Sequence, residues 1–265
     1  MLQEACRCSL PASARRERAG TLVRAMLSPA ALTLDLDDTL LDLSGLANAI
    51  DATCRAVASR APNLREDKLR LANALVWERY WPDVELEWTL GRLTGADLTL
   101  EVWRQTLEAC GVDEPRLVEV ATSVHLGAYR RWIRLYDDAR TLLDTVSALD
   151  IPLALITNGA GDTQREKLHA VGIEGLFDAI VISGELGVAK PDVRPFQVAM
   201  ETLGVRGRSA WHVGDSLGSD IAGAKAAGLT SVWLNRAGRA RPVGTPAPDI
   251  EIRSLEEIVE TLEGG

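Results

Sequence analysis

Four short polar clusters in this sequence each follow an apolar run, and the first of them contains Asp35 and Asp37. Successive side chains of an extended chain alternate, so these two carboxylates would point to the same side and repel each other unless a cation lay between them. A divalent metal resolves that conflict. Because acidic turns are common after strands, the pair indicates a metal and a nucleophile only together with the other clusters.

The second cluster, Thr157-Asn158-Gly159, offers a hydroxyl, an amide and a glycine N–H that can approach an anion closely, although Asn-Gly is also a frequent turn. Lys190-Pro191 is the third cluster, and its ammonium provides a compact positive charge for a phosphoryl oxygen. Lysine is rare here, with four residues against 25 arginines, so a lysine after a strand is informative. Pro191 is suited to open the helix that follows.

The fourth cluster is Gly214-Asp215-Ser216, with Asp220 shortly after it. Asp215 is favoured as a metal ligand, whereas Asp220 can serve either as a carboxylate near the metal or as a helix N-cap. Ligands of open parallel sheets bind just outside the carboxyl ends of the strands. All four clusters occupy such ends, so together they predict one site with a nucleophile, an acid, a phosphate cradle, a cation and metal ligands.

The elements that position these clusters are strand-length apolar runs that alternate with helical patterns, which predicts an α/β fold with a Rossmann-like, doubly wound parallel sheet. The runs are apolar almost throughout, so both faces of the sheet are expected to be buried. Strands are predicted at residues 32–36, 151–157, 179–183, 210–214 and 230–234, with a last one near Ile250. Helices are predicted at residues 137–149, 162–170, 191–203 and 220–227, followed in three cases by the glycines 172, 204 and 228.

The interval 43–134 has helical periodicity and no convincing strand, so it predicts an all-helical cap domain inserted into a core of residues 29–42 and 135–265. Five of the seven tryptophans lie in it and are expected mainly to form the core of a helical bundle, with one or two lining a pocket. Its arginines 130, 131 and 134 either meet a second anionic group or, more often for a helix, form a solvated face. Residues 1–28 look like an N-terminal extension, and Met26 is an alternative start.

The acidic composition, with a formal net charge of −9, argues against a nucleic-acid polymer as partner and requires any phosphate site to be locally positive. No apolar stretch approaches the roughly 20 residues of a membrane span. The four cysteines have the spacing of neither a zinc site nor a disulfide framework, so we expect a reduced, cytoplasmic protein. A monomer and a homodimer are both compatible with the sequence.

The ordered motifs Asp35-x-Asp37-x-Thr39, Thr157-Asn158-Gly159, Lys190-Pro191 and Gly214-Asp215-Ser216 with Asp220 resemble those of the haloacid dehalogenase superfamily. The resemblance covers about residues 31–235, and the interval after the first motif is similar to the helical cap of one branch. Residues 157–168 resemble the branch that contains nucleotidases and N-acylneuraminate 9-phosphatase.

This resemblance implies a Mg²⁺-dependent phosphatase that hydrolyses a small phosphate monoester, a sugar phosphate or a nucleoside monophosphate, through an aspartyl-phosphate on Asp35. Asp37 would protonate the leaving group and later take a proton from water. Thr157, Asn158 and Lys190 would bind the phosphate. The metal ligands would be the Asp35 and Asp215 carboxylates and the Asp37 carbonyl, with Asp220 orienting them.

Four alternatives to this activity can be compared with the residues that the sequence contains. Asp37 argues against a true haloacid dehalogenase, which needs neither a leaving-group acid nor a metal. A phosphonatase would need a Schiff-base lysine in the cap, where the only lysine is Lys68. A phosphomutase, which uses the same aspartate pair, stays open. A receiver-like phosphorylation switch is disfavoured, because it would lack both the paired aspartates and the large insertion.

Overall fold

The computed structural model describes residues 28–264. The expected N-terminal extension, the alternative start at Met26 and the cysteines Cys6 and Cys8 lie outside the described residues, apart from residue 28. Among the helices of residues 28–264, none combines the length and the apolar character needed to cross a membrane.

The strands are β1 (Ala31–Leu34), β2 (Leu41–Asp42), β3 (Arg134–Leu135), β4 (Leu153–Thr157), β5 (Ala179–Ile182), β6 (Ala210–Gly214), β7 (Thr230–Leu234) and β8 (Ile250–Ile252). Six of them form a parallel sheet in the order β5-β4-β1-β6-β7-β8. The strands β2 and β3 pair as a short antiparallel ribbon. The predicted doubly wound parallel α/β fold is therefore confirmed, and each predicted strand is present within two residues of its expected start.

The helices are α1 (Leu46–Ala58), α2 (Glu66–Thr89), α3 (Gly95–Ala109), α4 (Pro115–Trp132), α5 (Asp137–Ala148), α6 (Gly161–Val171), α7 (Ser183–Leu186), α8 (Arg194–Leu203), α9 (Ala222–Ala226) and α10 (Glu256–Glu263). Left-handed glycines cap α6 and α8, as predicted. Helix α8 begins later than expected, because the Asp192 carboxylate accepts from the Arg194 N–H at 2.9 Å and holds Pro191 in the preceding turn.

Both faces of the sheet are covered because alternate residues of each strand enter different hydrophobic clusters. In β1, Leu32 and Leu34 pack into a cluster with residues of α5 and α10, whereas Ala31 packs on the opposite side with residues of α8 and α9. All four residues of β1 are buried. This two-sided burial explains why the strands read as continuous apolar runs instead of alternating patterns.

Helices α1 to α4 occupy almost the whole interval between the ribbon strands β2 and β3. Their packed interior contains Leu69, Trp103 and Leu107. The five tryptophans expected in the bundle core all belong to the described residues, and among them only Trp103 is fully buried. Trp77 and Trp132 are exposed over 43% and 42% of their surface. The ribbon was missed by the sequence analysis because two-residue strands have no periodicity. The boundaries of a cap domain at 43 and 134 stay a prediction.

The inserted helices contact the loops that follow β4 and β5. The Asp162 carboxylate of α6 accepts from the N–H groups of Gly95 and Ala96 at 3.0 and 3.3 Å and thereby caps α3. The Ser183 hydroxyl donates to the carbonyl of Thr89, the last residue of α2, at 2.6 Å. Core side chains therefore satisfy backbone groups at the ends of two inserted helices.

Candidate active site

Three carboxylates converge at the carboxyl edge of the sheet. Asp35 directly follows β1, Asp215 directly follows the neighbouring strand β6, and Asp220 lies one turn further along. One ligand oxygen from each of them lies within 4.8 Å of the others. The structure thus brings together the predicted nucleophile, the predicted metal ligand and the carboxylate whose role was left open.

Lys190 reaches into this acidic cluster from the loop before α8. Its Nζ lies 2.6 Å from Oδ1 of Asp35 and 2.7 Å from Oδ1 of Asp220, and it also donates to the carbonyl of Ile156 at 2.6 Å. Burial disfavours the charge of Lys190, but Asp220 and Asp35 together raise its pKa above the usual range. The side chain is therefore a fixed ammonium, which is the local positive charge that the acidic composition required.

The acidic cluster carries more negative charge than Lys190 balances. Burial, with added repulsion from Asp220 and Asp215, raises the pKa of Asp35 in spite of the adjacent ammonium. Burial and the charge of Asp220 raise the pKa of Asp215 to about 7. Within residues 28–264, Asp215 forms no ion pair. Clustered carboxylate oxygens short of positive charge fit a hard divalent cation such as Mg²⁺.

Asp220 is a buried partner of charged groups and not a helix N-cap. It lies in a π-helical turn, Leu217–Ile221, whose N-cap is Ser216. Its Oδ2 accepts from the Ser216 N–H at 2.9 Å, and its Oδ1 faces Lys190 and His212. Burial opposes its charge, but Lys190 and His212 hold the pKa of Asp220 below its usual range. Of the two roles considered from the sequence, the carboxylate near the acidic cluster is the one that its geometry fits.

Asp37 lies apart from the acidic cluster and has a lysine of its own. The Nζ of Lys167 is 2.6 Å from Oδ2 of Asp37, and the Nε2 of Gln164 is 3.2 Å from the same oxygen. A metal between the Asp35 and Asp37 carboxylates is therefore not needed to relieve their repulsion, because each carboxylate pairs with a different ammonium.

The two polar residues at the end of β4 face different partners. Thr157 is buried, and its Oγ1 accepts from Nε2 of Gln164 at 2.6 Å. The Asn158 amide holds the Lys190 backbone from both sides, since Oδ1 accepts from the Lys190 N–H and Nδ2 donates to its carbonyl, each at 2.9 Å. The side chain of Asn158 thus positions Lys190, and the second N–H of its amide remains as a donor.

Trp88 of the insertion lies against Gly159, next to these residues. Gly159 has φ of 141°, and a methyl group at its Cα would lie 2.6 Å from the Trp88 ring. Trp81 and Trp77 continue away from Trp88, with centroid distances of 5.4 and 5.1 Å between successive rings. Only glycine fits this close approach, which brings one tryptophan of the insertion to the edge of the site. The three arginines considered as anion binders, at positions 130, 131 and 134, are exposed. Arg130 pairs with Glu166, and Arg134 donates to main-chain carbonyls nearby.

Three residues around the site escaped the sequence analysis, namely Gln164, Lys167 and His212. The rarity of lysine, which drew attention to Lys190, applies equally to Lys167. Gln164 and Lys167 also stand three residues apart on one helix face directly after the second motif. His212 carried no such signal, because a histidine inside an apolar strand is more often a core residue.

The sequence matches the haloacid dehalogenase-like hydrolase family over residues 29–228, and the chain belongs to that family. It is 34% identical to the phosphoserine phosphatase of Thermus thermophilus over 86% of this chain and 96% of that protein. It is 33% identical to the N-acylneuraminate-9-phosphatase of Mus musculus over 63% and 68% of the two chains. The structure of a 2-haloacid dehalogenase from Pseudomonas syringae is also similar, with a TM-score of 0.63, 27% identity and coverage of 88% and 98%. Within the family the chain is a hydrolase of phosphate monoesters.

Proposed function

We propose that this protein is a Mg²⁺-dependent phosphatase that hydrolyses a small phosphorylated metabolite through an aspartyl-phosphate on Asp35. The observation that carries the proposal is that the two aspartates of the first motif lie in different surroundings. Asp35 lies in the acidic cluster with Asp215 and Lys190, whereas Asp37 lies outside it and keeps one buried oxygen, Oδ1, without a protein partner among residues 28–264. A nucleophile and a proton donor need these different surroundings.

In the first half-reaction, a carboxylate oxygen of Asp35 forms a bond to phosphorus while the bond from phosphorus to the leaving-group oxygen breaks. The electron pair of that bond remains on the leaving-group oxygen, which takes a proton from Asp37. Lys190 offsets the charge of the phosphoryl group and keeps Asp35 in place. Asn158 serves this step indirectly, because its amide fixes the Lys190 backbone.

In the second half-reaction, Asp37 removes a proton from a water molecule as the water oxygen bonds to phosphorus. The bond between phosphorus and the Asp35 oxygen then breaks, which restores the carboxylate and releases inorganic phosphate. The Asp35 and Asp215 carboxylates and the Asp37 carbonyl would hold Mg²⁺. When bound, this cation neutralises charge on the phosphoryl oxygens and on Asp35.

The small size of the phosphorylated molecules named for the relatives supports a small substrate. We expect a sugar phosphate, a phosphorylated small acid or a nucleoside monophosphate, with the leaving group bounded by Trp88 where it lies over Gly159. The likeness to a haloacid dehalogenase structure does not favour dehalogenation here. That reaction needs neither a metal nor a leaving-group acid, so Asp37 and the acidic cluster would have no role in it.

The test is release of inorganic phosphate from a panel of sugar phosphates, phosphoserine, N-acylneuraminate 9-phosphate and nucleoside monophosphates, with Mg²⁺ or with EDTA. We expect many turnovers on at least one ester with Mg²⁺ and almost none with EDTA. Asp215→Asn should raise the Mg²⁺ concentration for half-maximal rate by about 10- to 100-fold. Transfer of phosphate within the substrate without release would indicate a mutase, and a single stable phosphorylation would indicate a switch.

A further inference from the structure

Two neighbouring side chains of α6 hold one oxygen of Asp37. Lys167 and Gln164 both approach Oδ2, at 2.6 and 3.2 Å, and both are buried, with 3% and 0% of their surface exposed. Nε2 of Gln164 is fixed in turn by Thr157 Oγ1 at 2.6 Å and by the carbonyl of Asn158 at 3.0 Å. The orientation of the Asp37 carboxylate is therefore determined from one side.

The other oxygen of Asp37 is left for a ligand. Oδ1 is buried, and no residue in the range 28–264 donates a hydrogen bond to it. Buried carboxylate oxygens without a partner are rare in folded proteins, because each loses its hydration without compensation. An oxygen of a bound substrate is a partner of the right kind for this position.

Lys167 depends on the insertion for its own position. Burial opposes the charge of Lys167, but Asp37 and the nearby Tyr129 of α4 raise its pKa above the usual range. The next residue along α4, Arg130, pairs with Glu166, the residue before Lys167. The Tyr129 ring stacks on the ring of His125, one turn earlier in α4, at a centroid distance of 6.5 Å. Docking of α4 against α6 thus brings Tyr129 to Lys167 and, through it, to Asp37.

We propose that Lys167 is a positioning residue for proton transfer: with Gln164 it fixes Oδ2 of Asp37, so that Oδ1 is the atom that delivers the proton to the leaving group. This inference rests on the proposed function. In the step, the O–H bond at Oδ1 breaks, a new O–H bond forms on the leaving-group oxygen, and that oxygen keeps the electron pair of the broken bond to phosphorus. An undocked insertion would lack the Tyr129 contact and leave Asp37 less well placed.

A purely structural role of Lys167 makes a different prediction. If the ammonium only balanced charge in the interior, its loss would reduce the rates for all phosphate esters by the same factor. If it positions Asp37, the loss depends on the leaving group, because p-nitrophenolate departs without a proton whereas an alkoxide does not.

The experiment compares kcat/KM for p-nitrophenyl phosphate and ethyl phosphate in the full-length chain with Mg²⁺. For Lys167→Met we expect about a 100-fold loss on ethyl phosphate and less than about a fivefold loss on p-nitrophenyl phosphate. Tyr129→Phe should show the same selectivity at about three- to tenfold. Lys225→Met, at a side chain that is 39% exposed and pairs with Asp249, is the matched control and should affect neither ester. Equal losses on the two esters in Lys167→Met would overturn the inference.

A double-mutant cycle with Asp37→Asn tests whether Lys167 acts through Asp37. Adding Lys167→Met to Asp37→Asn should lower the ethyl phosphate rate by less than about threefold, because the group that Lys167 positions is already disabled. If the loss of rate in the double variant equals the product of the losses in the two single variants, the inference is contradicted. If Lys167→Met does not fold, as judged by circular dichroism, Tyr129→Phe and Gln164→Leu decide by the same ester comparison. If the wild-type chain hydrolyses neither these two esters nor any ester of the panel, the proposed function itself fails and with it the basis of this inference. Equal losses in an active wild-type background remove only the inference.

Discussion

The Nζ atom of Lys190 lies 2.6 Å from Oδ1 of Asp35, and both side chains are almost completely buried. Removing the ammonium leaves Asp35 beside Asp220 with no cation between them. We therefore expect Lys190→Met to lose at least about 100-fold in kcat, as when a fixed electrostatic contact to the reacting group is lost. Its free energy of unfolding should fall by about 3–5 kcal/mol, the usual effect of breaking a buried pair. Steady-state kinetics and urea denaturation measure both, and wild-type kcat in Lys190→Met would contradict the assignment.

Asp35→Asn removes the proposed nucleophile while keeping the size of the side chain. The amide cannot form the phosphoenzyme, so we expect no detectable turnover and no added phosphate in the intact mass of acid-quenched protein. In the wild-type enzyme, the same quench during turnover should show the added phosphate on the peptide that contains Asp35. Substantial hydrolysis by Asp35→Asn would show that another group attacks phosphorus.

Ser183 joins the insertion to the loop after β4. Its hydroxyl donates to the carbonyl of Thr89 and accepts from the N–H of Gly159, at 2.6 and 2.8 Å. Ser183→Ala leaves both backbone groups without these partners, so we expect a loss of about 1–3 kcal/mol in unfolding free energy and a fall in kcat/KM of about three- to tenfold.

The matched control for Ser183→Ala is Ser59→Ala, because the Ser59 hydroxyl is exposed and donates only to the nearby Ala56 carbonyl. This control should change neither quantity by a comparable amount. Hydrogen exchange at the backbone N–H of Gly159 should also become faster in Ser183→Ala alone. Unchanged exchange there would indicate that the loop is held by other contacts.

Asp249 provides a test of pH-dependent stability away from the active site. Burial opposes its charge, but the N–H of Ser231, the guanidinium of Arg208 and the Ser231 hydroxyl together hold the pKa of Asp249 well below its usual range. An unfolded aspartate has a pKa of about 3.9, so the ionised carboxylate of Asp249 stabilises the folded state above that pH. This contribution disappears as the pH falls through the lower pKa of the folded state.

We therefore expect Asp249→Asn to lower the unfolding free energy by about 1–2 kcal/mol at neutral pH, with allowance for its partial exposure. The difference from wild type should shrink as the pH is lowered below about 4. Asp144→Asn, on the exposed face of α5, is the control. A difference that is constant from neutral to acidic pH would argue against an ionised, depressed-pKa Asp249.

The strands and the four motifs could be predicted because their signals are local. A run such as residues 210–214 is apolar except for His212, and Asp215 follows it directly in the sequence. The side-chain partners could not be predicted in the same way. Lys167 lies 130 residues from Asp37, and the amide of Asn158 binds a backbone 32 residues away. These contacts depend on how helices and loops meet over the sheet, and sequence periodicity carries no information on that register.

The late start of α8 has a local cause instead. Pro191 favours a helix start on local grounds, but the side chain of Asp192 makes a competing turn with the N–H of Arg194. For the tryptophans, helical spacing could not separate the buried Trp103 from the partly exposed Trp88, because the core loop at Gly159 that Trp88 contacts comes much later in the chain.

The capping of α3 by Asp162 joins two parts of the chain that the ribosome makes at different times. Asp162 is 67 residues beyond Gly95, so α3 leaves the ribosome well before the carboxylate that caps its first N–H groups has been synthesised. Until α6 is present, the first turn of α3 must rely on Thr94, whose hydroxyl accepts from the Asp97 N–H, and on water. If residues 43–134 were transplanted onto another scaffold, α3 would therefore lose this cap. The host would have to supply a hydrogen-bond acceptor at the position of Asp162.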